Sequence, residues 1–134
     1  MERGIVMLGA GTDIVSVARM AGLVRSGGDR FLQRWFTGAE IAYCTSMARP
    51  ELHLAARMAA KEAVVKALHG PADGPVPYGS IEITRGDDGV PGVVLSGDVL
   101  EFARGRGVGP IHVSMSHCDE YAVAVAHAEA APAV

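Results

Sequence analysis

The chain has 134 residues, of which 49% are hydrophobic and 20% charged, and its formal net charge is −3. These values predict one soluble domain over residues 1–134, and they exclude a disordered chain and a strongly basic nucleic-acid-binding protein. No apolar run reaches the roughly 20 residues of a membrane-spanning helix, and two cysteines without the spacing of a zinc site or a disulfide framework predict a cytoplasmic protein.

The N-terminal third is predicted to contain a strand and short helices. Ile5 to Ala10 form an apolar strand that runs into a glycine-rich turn in GAGTDIV. The helical spacing of apolar residues from Val17 to Val24 predicts a helix that stops at Ser26-Gly27-Gly28, and a short helical piece follows over residues 31–36. The segment TGAE, Thr37 to Glu40, has the spacing of a capping box that starts the next helix.

A long helix is predicted in the middle of the chain, from Pro50 to Leu68. Proline is favoured as a first helical residue, and alanine, leucine and methionine fill the interior. The segment HGPADGP, His69 to Pro75, ends this helix. Two short strands, Ile81 to Thr84 and Val93 to Leu95, are joined by the turn-forming segment RGDDGVPG.

The C-terminal third is predicted to hold one helix and a hairpin. The helix covers Val99 to Arg104, and the hairpin pairs Ile111 to His117 with Tyr121 to His127, because both segments alternate with period two. The predicted helices are concentrated in the first half of the sequence and the predicted antiparallel strands in the second half. The sequence therefore predicts an α+β fold in which the long alanine-rich helix packs on an antiparallel sheet.

Charged residues of the long helix form the first candidate site. Lys61 and Lys66 are the only lysines in a chain that otherwise uses ten arginines. The helical repeat puts Glu62 and Lys66 on one face, and Arg57 and Lys61 on a neighbouring face. A surface Glu–Lys pair worth a few tenths of a kcal/mol is one interpretation. A phosphate site is the other, because the compact charge of lysine approaches phosphate oxygens closely.

Asp13 is a candidate ligand for a hard metal ion. It follows Gly9 and Gly11 at the end of the first predicted strand, where a carboxylate serves either as a turn or capping group or as a Mg²⁺ ligand. Glu62 supplies a second carboxylate if the fold brings the two together. A dinucleotide-binding site is disfavoured, because the third glycine of its fingerprint falls on Ile14 and the C-terminal half lacks βαβ alternation.

His117 closes the predicted strand segment IHVSMSH. Strand alternation puts its side chain on the side of Ile111, Val113 and Met115 and opposite His112, so the two histidines are not expected to bind one metal ion. His117 is therefore either a satisfied core residue or a polar group that a rigid strand delivers to a cleft.

In their order, these segments resemble the holo-acyl-carrier-protein synthases, the small type of 4′-phosphopantetheinyl transferase. The resemblance covers nearly the whole chain and rests on the segments GTDIV, TGAEIAYC, LAARMAAKEAVVKAL, IEITRGDDGVPGVVLSG and IHVSMSHCDEYAVAVA, with Arg30, Phe31 and Arg34. The sequence departs from the family at Thr12, where an aliphatic residue is frequent, at Met58, where phenylalanine is common, and in HGPADGPVPYG, which replaces a short glycine-rich turn.

The resemblance implies a 4′-phosphopantetheinyl transferase-like fold and a transferase that moves 4′-phosphopantetheine from coenzyme A to a serine of an apo acyl carrier protein, releasing adenosine 3′,5′-bisphosphate. It implies Mg²⁺ bound by Asp13 and Glu62. The catalytic groups that it implies are Glu62, Lys66 and His117, and the last two would lie around the pyrophosphate. Arg57 and Lys61 become contacts to the nucleotide phosphates. The serine proton passes to Glu62 or to a metal-bound water, and the sequence favours neither.

The resemblance also implies that Arg19, Arg30 and Arg34 dock the carrier protein, and that the chain forms a homotrimer with active sites at subunit interfaces. Residues 17–36 contain four arginines and one acidic residue, a surface that an acidic carrier-protein helix would meet. Two other classes stay open. A non-catalytic carrier-protein-binding module would keep the arginines without a metal pair, and in an oligomeric scaffold the helix charges would be surface pairs.

Overall fold

A computed structural model describes residues 4–71 and 74–132 of the chain. The elements in chain order are strand β1 (Met7–Ser16), helices α1 (Val17–Trp35), α2 (Gly38–Thr45) and α3 (Pro50–Leu68), a 3₁₀ turn (Tyr78–Ser80), strands β2 (Ile81–Arg85) and β3 (Pro91–Leu95), helix α4 (Gly97–Gly105), and strands β4 (Val108–His117) and β5 (Tyr121–Ala130). The predicted α+β class is confirmed.

The main sheet has three antiparallel strands in the order β1-β5-β4. Strands β4 and β5 form the predicted C-terminal hairpin, in which His117 lies opposite Ala122. Strand β1 pairs with the other edge of β5, and this pairing places Asp13 opposite Ala124. Strands β2 and β3 form the second predicted hairpin, which is a separate two-stranded sheet. Strand β5 is therefore the centre of the main sheet.

Helix α3 packs on the main sheet through small side chains. One face of β5 and the facing side of α3 are lined by fully buried alanines, which are Ala124, Ala126 and Ala128 on the strand and Ala59, Ala60, Ala63 and Ala67 on the helix. A methyl group on each side lets the two backbones approach closely. This contact gives a structural reason for the low aromatic content of the chain, since the layer has no room for rings.

The segment GAGTDIV is part of β1 and does not form the predicted turn. A Cβ atom at Gly9 would overlap the carbonyl oxygen of Ala67, and one at Gly11 would overlap that of Ala63. These glycines therefore serve close approach of α3 to the strand. The expectation that Asp13 lies at a strand end is wrong for the same reason, because β1 continues to Ser16.

Helix α1 is interrupted at Gly28, where φ is 56° and ψ is −143°. A positive φ of this kind is tolerated by glycine and strained for other residues. The predicted stop at Ser26-Gly27-Gly28 is confirmed as an interruption, but the helix resumes at once. The helical piece predicted over residues 31–36 forms the second half of α1 as far as Trp35.

The predicted starts of α2 and α3 are confirmed. The hydroxyl of Thr37 accepts a hydrogen bond from the N–H of Glu40 at 3.2 Å, and the Glu40 carboxylate accepts one from the N–H of Thr37 at 2.8 Å. Helix α3 begins at Pro50 and ends at Leu68, because His69 adopts a left-handed conformation with φ 59°. Residues 72 and 73 of HGPADGP lie outside the described residues.

No helix in the described part of the chain combines the length and the apolar character needed to cross a membrane.

Candidate active site

A cavity of about 810 Å³ opens between β1, α1 and α3. Charged side chains from all three elements line it: Asp13 from the strand, Arg19, Arg30 and Arg34 from α1, and Glu62 and Lys66 from α3. The structure thus brings the two predicted metal ligands, one predicted catalytic lysine and the three predicted docking arginines to one cavity. Carboxylates and cations therefore line the same cavity.

Lys66 pairs with β1 and not with Glu62 of its own helix. Its ammonium lies 3.2 Å from Oδ1 of Asp13 and donates a hydrogen bond to the carbonyl oxygen of Thr12 at 2.9 Å. The Lys66 side chain is 54% exposed and that of Asp13 is 21% exposed. The interpretation of the helix charges as a Glu–Lys surface pair is therefore wrong, and the exposed ammonium remains accessible to an anion.

Glu62 is held by Tyr78, which sequence reasoning missed. The phenol of Tyr78 donates a hydrogen bond to Oε1 of Glu62 at 2.9 Å. The Tyr78 ring stacks on Trp35, with the ring centroids 4.0 Å apart and an interplanar angle of 17°. Burial raises the pKa of Tyr78 above its usual range, and the hydrogen bond to Glu62 and the charges of Glu62 and Asp13 add to this effect. The phenol therefore stays protonated and remains a donor.

The donor set fits a Mg²⁺ ion that also binds substrate. Asp13 and Glu62 line the same cavity, and the hydrogen bonds among the described residues engage only Oδ1 of Asp13 and Oε1 of Glu62. No group of three or more histidine, cysteine, aspartate or glutamate side chains with metal-binding geometry occurs among those residues. Mg²⁺ suits this arrangement, because it usually takes one or two carboxylates and completes its shell with phosphate oxygens and water.

Arg57 and His117 lie in a second, basic cluster and do not line this cavity in the described part of the chain. The guanidinium of Arg57 lies 4.4 Å from the ring centroid of Tyr43, and its Nε has no hydrogen-bond partner among the described residues. His117 is exposed, and its ring lies edge-on to that of His53 at 5.7 Å. Burial lowers the pKa of His53, and the nearby charges of His117 and Arg57 lower it further.

Lys61 is fully buried among the described residues, so its predicted contact to nucleotide phosphates is wrong. It is 0% exposed, and its ammonium lies 2.7 Å from Oε1 of Glu40. The remaining donors go to the carbonyl oxygens of Tyr78 at 2.9 Å and Ile81 at 2.6 Å. Burial lowers the pKa of Lys61, although the carboxylate of Glu40 opposes that shift. The ammonium is saturated with protein acceptors, and no donor is left for a phosphate.

Three aromatic residues near these clusters were not predicted as site residues: Trp35, Tyr78 and His53. Tyr78 lies 16 positions from Glu62 and outside the long helix, so no helical or strand periodicity connects the two. The only sequence signal was the position of Tyr78 in HGPADGPVPYG, the segment that departs from the family pattern.

Comparisons with known proteins point to one family. A model of the 4′-phosphopantetheinyl transferase superfamily matches residues 9–126. The holo-acyl-carrier-protein synthase of Moorella thermoacetica is 49% identical over 92% of this chain and 94% of its own length. The crystal structure of holo-acyl-carrier-protein synthase from Neisseria meningitidis has a TM-score of 0.84 and 31% identity, and the match covers 92% of this chain and 99% of that one. The Helicobacter pylori holo-acyl-carrier-protein synthase, solved in complex with coenzyme A, has a TM-score of 0.75 and 29% identity over 89% of this chain and 98% of that one.

The burial of Lys61 predicts a large effect on stability. Lys61→Met leaves the Glu40 carboxylate buried without its counter-ion, and we expect the free energy of unfolding to fall by about 3–5 kcal/mol in urea titrations. Lys66→Met is the matched control on the same helix, and removal of its exposed pair changes stability by about 1 kcal/mol or less. Equal stabilities of the two variants would contradict the structural role of Lys61.

Proposed function

The chain belongs to the 4′-phosphopantetheinyl transferase superfamily, and from this premise we propose that residues 1–134 act as one domain that transfers 4′-phosphopantetheine from coenzyme A to a serine hydroxyl of an apo acyl carrier protein. One observation carries the proposal: a single cavity joins the carboxylates of Asp13 and Glu62, the ammonium of Lys66 and three arginines. Phosphoryl transfer depends mainly on positioning and on neutralisation of charge. Both are available in this cavity.

Asp13 and Glu62 are the residues that would hold Mg²⁺. Each carboxylate has one oxygen engaged by a protein donor, Lys66 for Asp13 and Tyr78 for Glu62. The other oxygen of each group is the one we assign to the ion. A bound Mg²⁺ would offset the negative charge of the coenzyme A pyrophosphate during transfer.

In the proposed reaction, a bond forms between the serine oxygen and the phosphorus that carries the pantetheine arm. The bond from that phosphorus to the oxygen of the leaving phosphate breaks, and adenosine 3′,5′-bisphosphate departs. Lys66 is an exposed cation of the cavity that contacts Asp13, and it would neutralise charge on the leaving phosphate. The serine proton passes to Glu62 or to a water that this carboxylate orients.

Arg19, Arg30 and Arg34 are the proposed contacts to the carrier protein. They come from α1 and line the same cavity as the metal ligands, so a carrier docked on α1 would present its serine close to the reaction centre. Positive charge along this helix would speed the encounter with an acidic partner and orient it. The carrier proteins of fatty-acid and polyketide synthesis are the substrates that this proposal implies.

A second copy of the chain would complete the site, within the homotrimer that the resemblance implies. Arg57 and His117 belong to the basic cluster around Tyr43, apart from the cavity that holds Asp13, Glu62 and Lys66. The sheet face opposite α3 exposes apolar side chains, among them Ile14, Val123 and Val125. Contact between copies through this face would bury them. Arg57 and His117 of one copy would then approach coenzyme A bound by another.

The thiols support a cytoplasmic location. Cys44 is buried, Cys118 is exposed, and both are free. An exposed free thiol is stable in a compartment that keeps cysteines reduced.

Neutral variants of the two proposed metal ligands should abolish Mg²⁺-dependent transfer. Glu62→Gln and Asp13→Asn each remove one anionic ligand, and we expect the transfer rate to fall at least about 100-fold while the circular dichroism spectrum is unchanged. The measurement is mass spectrometry of an apo carrier protein after incubation with coenzyme A and Mg²⁺. Glu101→Gln, in an exposed pair on α4, is the acid-to-amide control. If the wild-type protein modified none of a panel of carrier proteins, the proposed function would be wrong.

Charge reversal on α1 should weaken the use of the carrier protein and not of coenzyme A. For Arg30→Glu and Arg34→Glu we expect the KM for the carrier to rise about tenfold, with a KM for coenzyme A within twofold of wild type. Arg104→Glu on α4 changes net charge equally, away from the cavity, and should leave both constants unchanged. Steady-state kinetics at two salt concentrations provides the measurement. An equal rise in both KM values would argue against a docking role for these arginines.

A site built from two copies should allow complementation. Glu62→Gln and His117→Ala, each poorly active alone, should regain about a quarter of wild-type activity when the two chains are co-expressed, because about a quarter of the sites combine both intact halves. Each variant mixed with itself is the control. If the mixture stayed as inactive as its components, Glu62 and His117 would have to act from the same copy.

A further inference from the structure

We propose that Tyr78 is a positioning residue that fixes the carboxylate of Glu62 for metal binding and transfer; this inference rests on the function proposed above. The Tyr78 hydroxyl donates a hydrogen bond to Oε1 of Glu62 at 2.9 Å. The acceptor is a half-buried carboxylate that lines the cavity with Asp13. The helical repeat of α3 offered Lys66 as a partner for Glu62, but Lys66 pairs with Asp13, and Tyr78 supplies the partner of Glu62 from outside the helix.

Tyr78 is itself held from three directions, so its hydroxyl has little freedom to move. Its ring stacks on Trp35 at 4.0 Å between centroids. Its carbonyl oxygen accepts a hydrogen bond from the buried ammonium of Lys61 at 2.9 Å. Its N–H donates to the carbonyl oxygen of Val76 at 3.0 Å. Contacts to the backbone and to the ring therefore fix the phenol relative to α3.

A glutamate on a helix has several rotatable bonds, and its carboxylate samples many positions unless a partner holds it. The hydrogen bond from Tyr78 takes Oε1 and leaves Oε2 as the oxygen free for a cation. Groups that orient a ligating carboxylate typically change metal affinity or activity by about 10- to 100-fold when they are removed. Tyr78 is a group of this kind, because it orients the carboxylate of Glu62. It can affect the reaction without touching the substrate.

The ring contact also connects the centre to the proposed docking helix. Trp35 is the last residue of α1 and directly follows Arg34, which lines the cavity. The end of α1 thus contacts Glu62 indirectly: Trp35 stacks on Tyr78, and Tyr78 donates a hydrogen bond to Glu62. The position of the carboxylate therefore depends on the packing of α1 as well as on α3.

The test is Tyr78→Phe, which removes the hydroxyl and keeps the ring that stacks on Trp35. We expect the dissociation constant for Mn²⁺, titrated calorimetrically in the presence of coenzyme A, to rise about tenfold, and kcat for carrier modification to fall about tenfold. The KM for the carrier protein should stay within twofold of wild type. A merely structural role for Tyr78 would not shift metal affinity in a folded protein.

Thr45→Val is the control, since it removes a hydroxyl that donates a hydrogen bond of 2.7 Å to a carbonyl on α2, away from the cavity. Its Mn²⁺ affinity and kcat should equal those of wild type. In the Glu62→Gln background, Tyr78→Phe should change the residual transfer rate less than twofold, because its effect passes through Glu62. A further tenfold loss in that background would overturn the proposal.

Unchanged Mn²⁺ affinity in Tyr78→Phe would also overturn the proposal, whether or not kcat falls. If circular dichroism shows that Tyr78→Phe is unfolded, Trp35→Phe provides the test, because it loosens the stack and keeps the hydroxyl. It should weaken Mn²⁺ binding in the same direction by a smaller factor, and wild-type affinity would overturn the inference. Absence of transfer by the wild-type protein would refute the proposed function alone, since the Mn²⁺ titrations still decide the role of Tyr78.

Discussion

The buried ion pair between Lys61 and Glu40 is the interaction on which the rest of the structure depends. Burying two charges is expensive unless every polar atom is satisfied, and here the ammonium has three acceptors, one of them Glu40 and the others carbonyl oxygens. Glu40 also caps α2 and accepts a hydrogen bond from the N–H of Ile83 at 3.0 Å. One pair thereby fixes α2, α3, the 3₁₀ turn and β2. The position of Tyr78, and through it that of Glu62, follows from this pair.

Charge in the molecule is divided into two regions with different chemistry. The cavity between β1, α1 and α3 combines two carboxylates with exposed cations, which suits a metal ion and a polyphosphate together. The cluster around Tyr43 contains the guanidinium groups of Arg57 and Arg85 and the imidazoles of His53 and His117. The proposed reaction needs both regions, because coenzyme A carries a pyrophosphate and a separate ribose phosphate. Because the two regions are separate in one copy, we expect the complete site to form where two copies of the chain meet.

Features set by local chemistry were predictable from the sequence, and features set by tertiary contacts were not. The capping box at Thr37, the start of α3 at Pro50 and both hairpins depend on neighbouring residues, and all were confirmed. Lys61 and Lys66 lie five residues apart in one helix and look alike in sequence, yet only the packing of α2 and β2 determines which is buried. The glycines of β1 were assigned to a turn, because a sequence cannot reveal that a helix crosses the strand there. The joining of Asp13, Glu62 and Lys66 was anticipated only through the family resemblance.

The alanine layer between α3 and β5 has a consequence for how this protein tolerates change. Asp13 lies on β1, which pairs with β5, and Glu62 lies on α3, so the separation of the two carboxylates depends on how closely the helix packs on the sheet. A larger side chain at a position such as Ala63 or Ala126 would push the helix away from the sheet and widen the site without touching any charged group. The buried alanines take no part in the reaction, yet they set the spacing between the helix and the sheet that carry the site residues. Substitutions on loops and outer faces are therefore expected to be tolerated better than enlargement of these buried alanines.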